Sequence, residues 1–428
     1  MKEIIDLSPP QERAILVGAP LKRGTAKLLT QEHLEELGRL ADTAGAQVVG
    51  ELTQQLDRPD SATYIGSGKL EELKELIAEK DATVVIFDDE LTPAQGKNLE
   101  AALTKRVIDR AELILDIFAI RARSAEAKMQ VELAQLEYSL PRLTKLWSHL
   151  EKFRGGIGVR GPGETQLETD RRLVGHRIRL LKERLAEVTK SREVQRKQRR
   201  SQFRAALVGY TNAGKSSILK GMSTANDIFV EDRLFATLDP LTREVNLGTG
   251  KGAEVLVTDT VGFIRKLPHD LVASFRATLE ETREADLLLH VIDASHPTWE
   301  EQRLVVDDVL AELGVHDTPV LHVFNKIDQL SRDEAEALKA RMDNLLPGSV
   351  FVSAVRPGGL EPLRAALLDA RRASRPIREV RMSPGDGKRL AELHRGAEVL
   401  GQHMDDETGE LVVRVRAGSD LLARLGLG

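Results

Sequence analysis

Residues Gly209, Tyr210, Thr211, Asn212, Ala213, Gly214, Lys215 and Ser216 follow one another in the chain and together could hold a phosphate chain. Two glycines let a backbone curl until several N–H groups converge on phosphate oxygens. Lys215 can then reach the β and γ oxygens, and the Ser216 hydroxyl can ligate Mg²⁺. The apolar run Ala205 to Val208 feeds this loop as a strand, and Ser217, Ile218 and Leu219 can open a helix behind it. A helix N-terminus adds partial positive charge at the same spot.

Downstream residues choose the base. Val255 to Thr260 reads as a strand ending in Asp259, Thr260, Val261 and Gly262. Its carboxylate can hold Mg²⁺ through water, and its glycine N–H can sense a γ-phosphate. Val320 to Phe324 delivers Asn325, Lys326, Ile327 and Asp328. A carboxylate there accepts guanine N1–H and the exocyclic amine, a donor pair that adenine lacks, and the wrong base would leave it unpaired. A last strand, Val350 to Val352, ends in Ser353, Ala354 and Val355, where a backbone N–H can meet guanine O6. Four strand-end segments in this order imply a site for GTP and GDP.

The elements that must position these groups belong to a larger chain. Its 428 residues suffice for two to four domains with cores of their own. Cysteine is absent, which excludes disulfides and thiolate metal sites and fits a reducing cytosol; a cytoplasmic location is expected. No apolar signal core opens the chain and no run approaches about 18 apolar residues, so membrane insertion is not expected. The ten histidines show no metal-ligand spacing such as HExxH. The net charge of −5 conceals an asymmetry: residues 171–200 hold twelve Arg or Lys against three Glu, a net +9, leaving −14 elsewhere. Pairing of i,i+4 neighbours cannot absorb that excess, and it points to contact with a polyanion.

Four parts are expected in a multidomain α/β chain. A small α/β domain spans 1–122, with strands at Ala14–Gly18 and Thr83–Phe87 and helices at Gln31–Ala44, Lys69–Glu79 and Thr92–Thr104. Within it, Ile65 to Leu70 mimics a phosphate loop. Thr63 replaces its first glycine and Leu70 its Mg²⁺ hydroxyl, so a helix-entry turn is expected. Residues 123–202 carry heptad-spaced apolar positions from Met129 to Leu150 and from Leu167 to Val188, separated by the glycine-rich stretch Gly155 to Gly163. The pattern predicts an antiparallel helical hairpin with an irregular tip, its first arm kinked at Pro141. The second arm presents the basic face; Arg171, Arg172, Arg177 and Arg179, with Arg160 at the tip, are the expected RNA contacts. Residues 203–373 form the P-loop GTPase domain with a parallel sheet, including a strand at Leu287–Val291 and a helix at Pro297–Leu313. Arg371–Pro376 reads as a linker, and 380–428 as a small α+β module with a helix from Gly387 to Leu400 and a strand at Leu411–Val415.

With these residues in view, the chain resembles the HflX family of ribosome-associated GTPases. The resemblance rests on the run from Gly155 through Gly161, Pro162, Gly163, Glu164, Thr165, Gln166, Leu167, Glu168, Thr169, Asp170, Arg171 and Arg172, on the phosphate loop, and on Phe235, Ala236, Thr237, Leu238, Asp239 and Pro240. It covers most of the chain and is weakest in the last fifty residues. Val159 and Leu241 depart from the family's usual Thr, and neither touches the phosphate loop. The resemblance implies binding to the large ribosomal subunit at the intersubunit face and a role in splitting or rescuing stalled or idle ribosomes, particularly under stress; a monomer is expected.

Thr237 and Thr242 both stand at plausible distances after Ser216 to serve Mg²⁺ and the γ-phosphate. The resemblance selects Thr237, and with it Phe235, Ala236, Leu238 and Asp239 as the nucleotide-facing switch. Lys215, Thr237 and Gly262 are then the expected catalytic groups. Phe263 follows Gly262 where Ras-like enzymes carry a water-orienting Gln, so slow unaided hydrolysis and help from a partner are expected. Asn212 is similar to the asparagine that binds K⁺ in several other GTPase families, with Arg265 and Lys266 as alternative cationic donors. An RNA remodelling enzyme acting on free RNA and a non-catalytic signalling module are the competing functional classes.

Overall fold

The computed structural model describes residues 11–22, 30–143, 166–197, 202–223, 234–248, 254–267, 281–315, 317–375, 377–418, 421–422 and 425–426. The chain divides into two compact units. One runs through residue 188 and includes 232–238 and 266–275; the other holds the remainder.

In the first unit, β1 (Arg13–Gly18), β2 (Gln47–Thr53), β3 (Val84–Phe87) and β4 (Arg106–Asp109) form a parallel sheet in the order β2-β1-β3-β4. Helices α1 (Thr30–Thr43), α2 (Ser67–Lys80) and α3 (Pro93–Leu103) connect them. Both faces are covered, so the strands are runs of buried apolar residues: Ala14, Ile15, Leu16 and Val17 in β1 and Val84 to Phe87 in β3. The Ile65–Leu70 segment is the helix entry expected of it. Gly66 caps α2, and its N–H donates to Gln54 Oε1 at 3.1 Å. Thr92 and Gln95 close a capping box on α3.

Helix α4 (Arg110–Arg121) follows β4 directly. Periodicity does not mark this helix, because six of its residues from Ala111 to Phe118 are buried apolar side chains that leave little polar face. Arg110 itself is 1% exposed, bonded to Asp88 at 2.8 Å and to Glu36. Lys266 adds a second cation to this cluster, 2.8 Å from Asp88 and also paired with Asp89. Helix α5 (Ala125–Ser139) and helix α6 (Gln166–Lys197) make the arms of the basic segment. Pro141 does not kink the first arm; α5 ends at Ser139 and Pro141 lies in a 3₁₀ turn, Leu140–Arg142. A proline there removes the N–H that would continue the helix. The Gly155–Gly163 tip with Arg160, and the heptad positions Trp147 and Leu150, lie outside the described residues.

The second unit is built on six strands in the order β10-β9-β8-β5-β7-β6. These are β5 (Arg204–Gly209), β6 (Leu241–Asn246), β7 (Glu254–Asp259), β8 (Leu287–Asp293), β9 (Val320–Asn325) and β10 (Val350–Phe351). All pair parallel except β6, which runs antiparallel to β7 at the edge. Helices α7 (Lys215–Met222), α8 (Trp299–Glu312), α9 (Arg332–Leu345) and α10 (Glu361–Ala373) flank the sheet. The core is aliphatic, with Leu207, Leu289, Val291, Val323, Ile218 and Leu363 fully enclosed. The chain order reverses between β5 and β8, and α/β sheets bind ligands at such a switch point.

Two boundaries differ from expectation. Helix α10 runs to Ala373, so the expected linker begins as helix, with Arg371 only 8% exposed. The C-terminal module is an antiparallel sheet, β11 (Ile377–Met382), β13 (Leu411–Arg416) and β12 (Glu398–Met404), carrying α11 (Gly387–Gly396). Its helix stops at Gly396, and Leu400 belongs to β12. No described helix is long and apolar enough to cross a membrane.

Candidate nucleotide-binding site

Strand register brings the expected segments to one sheet edge. Leu207 in β5 pairs with Asp259, Gly209 pairs with Val291, and Asp293 pairs with Asn325, so the C-terminal ends of β5, β7, β8 and β9 lie side by side. The loop after β5 turns through Asn212 (φ 60°) and Gly214 (φ 95°). A Cβ on Gly214 would stand 2.2 Å from Asn325 Nδ2, so only glycine fits between the phosphate loop and the base-reading loop. Asn325 ties the same two loops together. Its amide donates to the Ala213 carbonyl at 2.9 Å, and its Oδ1 accepts from Ala354 N at 3.2 Å.

The Lys215 ammonium is buried and donates to the carbonyls of Gly209 (3.0 Å) and Tyr210 (2.9 Å). An ammonium has three donors, so one is left for a phosphate oxygen. Burial pulls its pKa down to about 8, with nearby Asp259 opposing the shift. The Ser216 hydroxyl donates to Asp259 Oδ2 at 2.6 Å, and Thr260 Oγ1 donates to the Leu207 carbonyl at 2.6 Å. Gly262 lies directly over the loop: a Cβ there would meet Thr211 Cα at 2.7 Å and Lys215 Nζ at 3.1 Å. Phe263 points away from solvent at 1% exposure, while its backbone zips to the loop through Thr211 N→Phe263 O (2.7 Å) and Phe263 N→Gly209 O (3.1 Å). The Tyr210 hydroxyl accepts from Arg265 N at 2.9 Å.

At the base end, Asp328 follows Lys326, whose backbone is left-handed (φ 62°). Asp328 Oδ1 is buried and meets no hydrogen-bond donor among the described residues. A buried acceptor of this kind calls for a donor. Ser353 is 1% exposed and its hydroxyl accepts from Arg356 N at 3.1 Å; Arg356 Nη2 donates to the Asp328 carbonyl at 3.1 Å. Val355 is 75% exposed at the rim, and Ile327 packs on the small cluster around Phe324.

Of the two candidate switch threonines, Thr242 lies in β6 with its hydroxyl 2.9 Å from that of Thr258. Thr237 and its neighbours Phe235, Ala236 and Leu238 group with the first unit, where Phe235 meets Phe118 edge-on at 4.7 Å. The Phe235 side chain is thus buried in packing, at 1% exposure.

In the basic arm, Arg177 is not an open cation. It makes two bonds to Glu132 of α5, at 2.6 and 2.8 Å, and Lys182 pairs with Glu137 at 2.7 Å. These pairs set α6 alongside α5. Arg171, Arg172 and Arg179 are exposed. No nucleotide motif includes Asp293, Ser295 or Arg356, which touch the turn after Asn325; their one sequence signal is an acidic residue closing a buried apolar strand.

Comparison with known proteins agrees with this geometry. Three family models match in succession: a GTP-binding GTPase N-terminal region over 31–119, a GTP-binding GTPase middle region over 121–199, and a 50S ribosome-binding GTPase over 204–326. GTPase HflX of Caldanaerobacter subterraneus is 53% identical over 327 residues, 76% of this chain and 74% of the relative. GTPase HflX of Magnetococcus marinus is 46% identical over 94% of this chain and 92% of its own length. GTPase HflX of Escherichia coli is 43% identical over 90% and 89%. Among solved structures, an SsGBP–GDP complex is 25% identical, covers 84% of this chain and 98% of its own, and superposes with a TM-score of 0.45. A chain with this loop geometry, these three successive family models and relatives of one kind matched over most of its length is a GTP hydrolase of the HflX family.

Proposed function

We propose that this GTPase binds the large ribosomal subunit in its GTP state, acts in splitting or rescuing ribosomes under stress, and is released by hydrolysis. The observation that carries the reading is α6, whose exposed Arg171, Arg172 and Arg179 belong to the same chain as a guanine site. Phosphate contacts from such a face are sequence-tolerant and salt-sensitive, as binding to folded RNA requires. In this scheme the parts 1–122, 123–202, 203–373 and 380–428 act as separate functional segments, and GTP serves as a timer.

Within the site, Gly209 to Ser217 would cradle the phosphates, Lys215 would hold the β and γ oxygens, and the Gly262 N–H would face the γ-phosphate. Asn325, Lys326, Ile327 and Asp328 would read the base from one side and Ser353, Ala354 and Val355 from the other. Mg²⁺ suits the donor set, because the Ser216 hydroxyl and the Asp259 carboxylate are hard oxygen ligands already 2.6 Å apart. Thr237 would join them in the GTP state, with Asp239 facing the nucleotide. Bound there, Mg²⁺ would neutralise charge on the β and γ oxygens. Phe263 offers no hydrogen bond to an attacking water, so unaided turnover is slow and the ribosome raises it. K⁺ at Asn212 would add positive charge near the leaving oxygens.

Co-sedimentation with separated subunits tests the proposal. Retention on the large subunit with a non-hydrolysable GTP analogue, and loss with GDP, is expected. Stimulation by free RNA without ribosomes would favour RNA remodelling instead.

A further inference from the structure

The base-reading turn is strained, and two residues outside every nucleotide motif hold it. Lys326 keeps a left-handed backbone that side-chain-bearing residues rarely adopt, a strain that persists only where neighbours over-determine it. Its ammonium lies 2.7 Å from Asp293 Oδ2 at the end of β8. The other oxygen of that carboxylate accepts from Ser295 N at 3.1 Å and from the Ser295 hydroxyl at 2.6 Å. Ser295 Oγ also lies 2.9 Å from the side-chain amide of Gln329, one residue beyond Asp328. The Ala294 N–H donates to the Asn325 carbonyl at 2.9 Å. The turn from 325 to 329 is therefore gripped on both sides of Asp328 by three consecutive residues. The Asp293 and Lys326 side chains are 11% and 22% exposed, so solvent screens this pair less than a surface pair.

We infer that Asp293 and Ser295 are positioning residues for guanine recognition: they keep the Lys326–Asp328 turn in its strained shape so that Asp328 Oδ1 is aimed before a base arrives. Neither residue needs to touch the nucleotide. Their contribution is preorganisation, which converts into affinity because the ordering cost is met before binding. The inference rests on the guanine-site reading above.

Calorimetric titration with GDP and inosine diphosphate tests it. Inosine keeps N1–H and lacks the exocyclic amine, so a misaimed carboxylate loses more with guanine than with inosine. Asp293→Asn should weaken GDP by about tenfold, the scale of a lost charge-assisted bond, and should shrink the GDP-to-inosine-diphosphate ratio. The loss should fall on KM for GTP, with kcat at saturation within about twofold. In a Lys326→Gly background, where strain and ion pair are both gone, adding Asp293→Asn should change nothing further. Ser295→Ala, a milder change that keeps the charge pair, should move the same ratio in the same direction. An unchanged ratio in both variants, or an equal loss from Asp293→Asn in the Lys326→Gly background, would overturn the inference. Absence of GDP binding by the unmodified protein would instead sink the guanine-site reading itself.

Discussion

Asp328 Oδ1, buried without a donor among the described residues, makes the proposed base reading testable with a single atom change. Replacing that oxygen by an amide turns an acceptor into a donor. Asp328→Asn should weaken GDP by at least about a hundredfold and favour xanthosine diphosphate, whose C2 carbonyl accepts where guanine donates. Retained guanine preference in a competition titration would refute the role. Lys215 gives a pH signature. Burial holds its free-protein pKa at about 8, below its ordinary 10.5, so the unfolded chain binds the extra proton between those values. Unliganded stability from this group therefore rises with pH across that window. Nucleotide binding runs the other way, because phosphate needs the ammonium. GDP affinity should fall as pH climbs above about 8, with proton uptake visible in buffers of different ionisation enthalpy.

Among the elements, the α5–α6 pair and the seam between the phosphate loop and Gly262 are the informative contacts. Arg177 and Glu132 are both partly exposed, at 43% and 40%, so their bonds contribute about 0.2–1 kcal/mol after screening. Arg177→Glu would place two carboxylates face to face and should lower the melting temperature of the isolated protein. The triple reversal of Arg171, Arg172 and Arg179 should abolish sedimentation with the large subunit while sparing GTP affinity. Ribosome binding that survives the triple reversal would reduce the arm to a scaffold. At the seam, Gly262→Ala puts a methyl 2.7 Å from Thr211 Cα, a contact that backbone must move to relieve. Single-turnover GTP hydrolysis should fall by at least about tenfold, and by more than GDP affinity, which needs no γ-phosphate contact.

Over the whole molecule, charge is segregated: net +9 within residues 171–200 and −14 elsewhere. A polyanion would attract one segment and repel the rest, which favours a single docking orientation. Ribosome-stimulated turnover should therefore decline steeply with added salt, while turnover of the free protein changes little. Replacing KCl by NaCl at constant ionic strength tests the proposed K⁺ role of Asn212. Equal rates in the two salts would remove K⁺ from the proposal.

The sequence by itself determined the nucleotide class, because loop chemistry there depends on residue type at fixed local spacing: two glycines, a lysine, a serine, and an aspartate three places after Asn325. It also determined most strands of the two parallel sheets, whose continuous burial leaves unbroken apolar runs. Edge elements escaped it. In β6 the residues Leu241 to Asn246 alternate with polar side chains, and their pairing partner is set by β7, eight residues on. The face of α4 escaped it too, since a helix buried on most sides shows no period. Only tertiary structure decided which charges are spent and which remain exposed. Arg177, Arg179 and Lys326 look alike as letters, yet Glu132 occupies the first, solvent surrounds the second, and Asp293 holds the third. Those partners lie roughly thirty to forty-five residues away, a distance at which local propensity carries no information and packing alone chooses the pair.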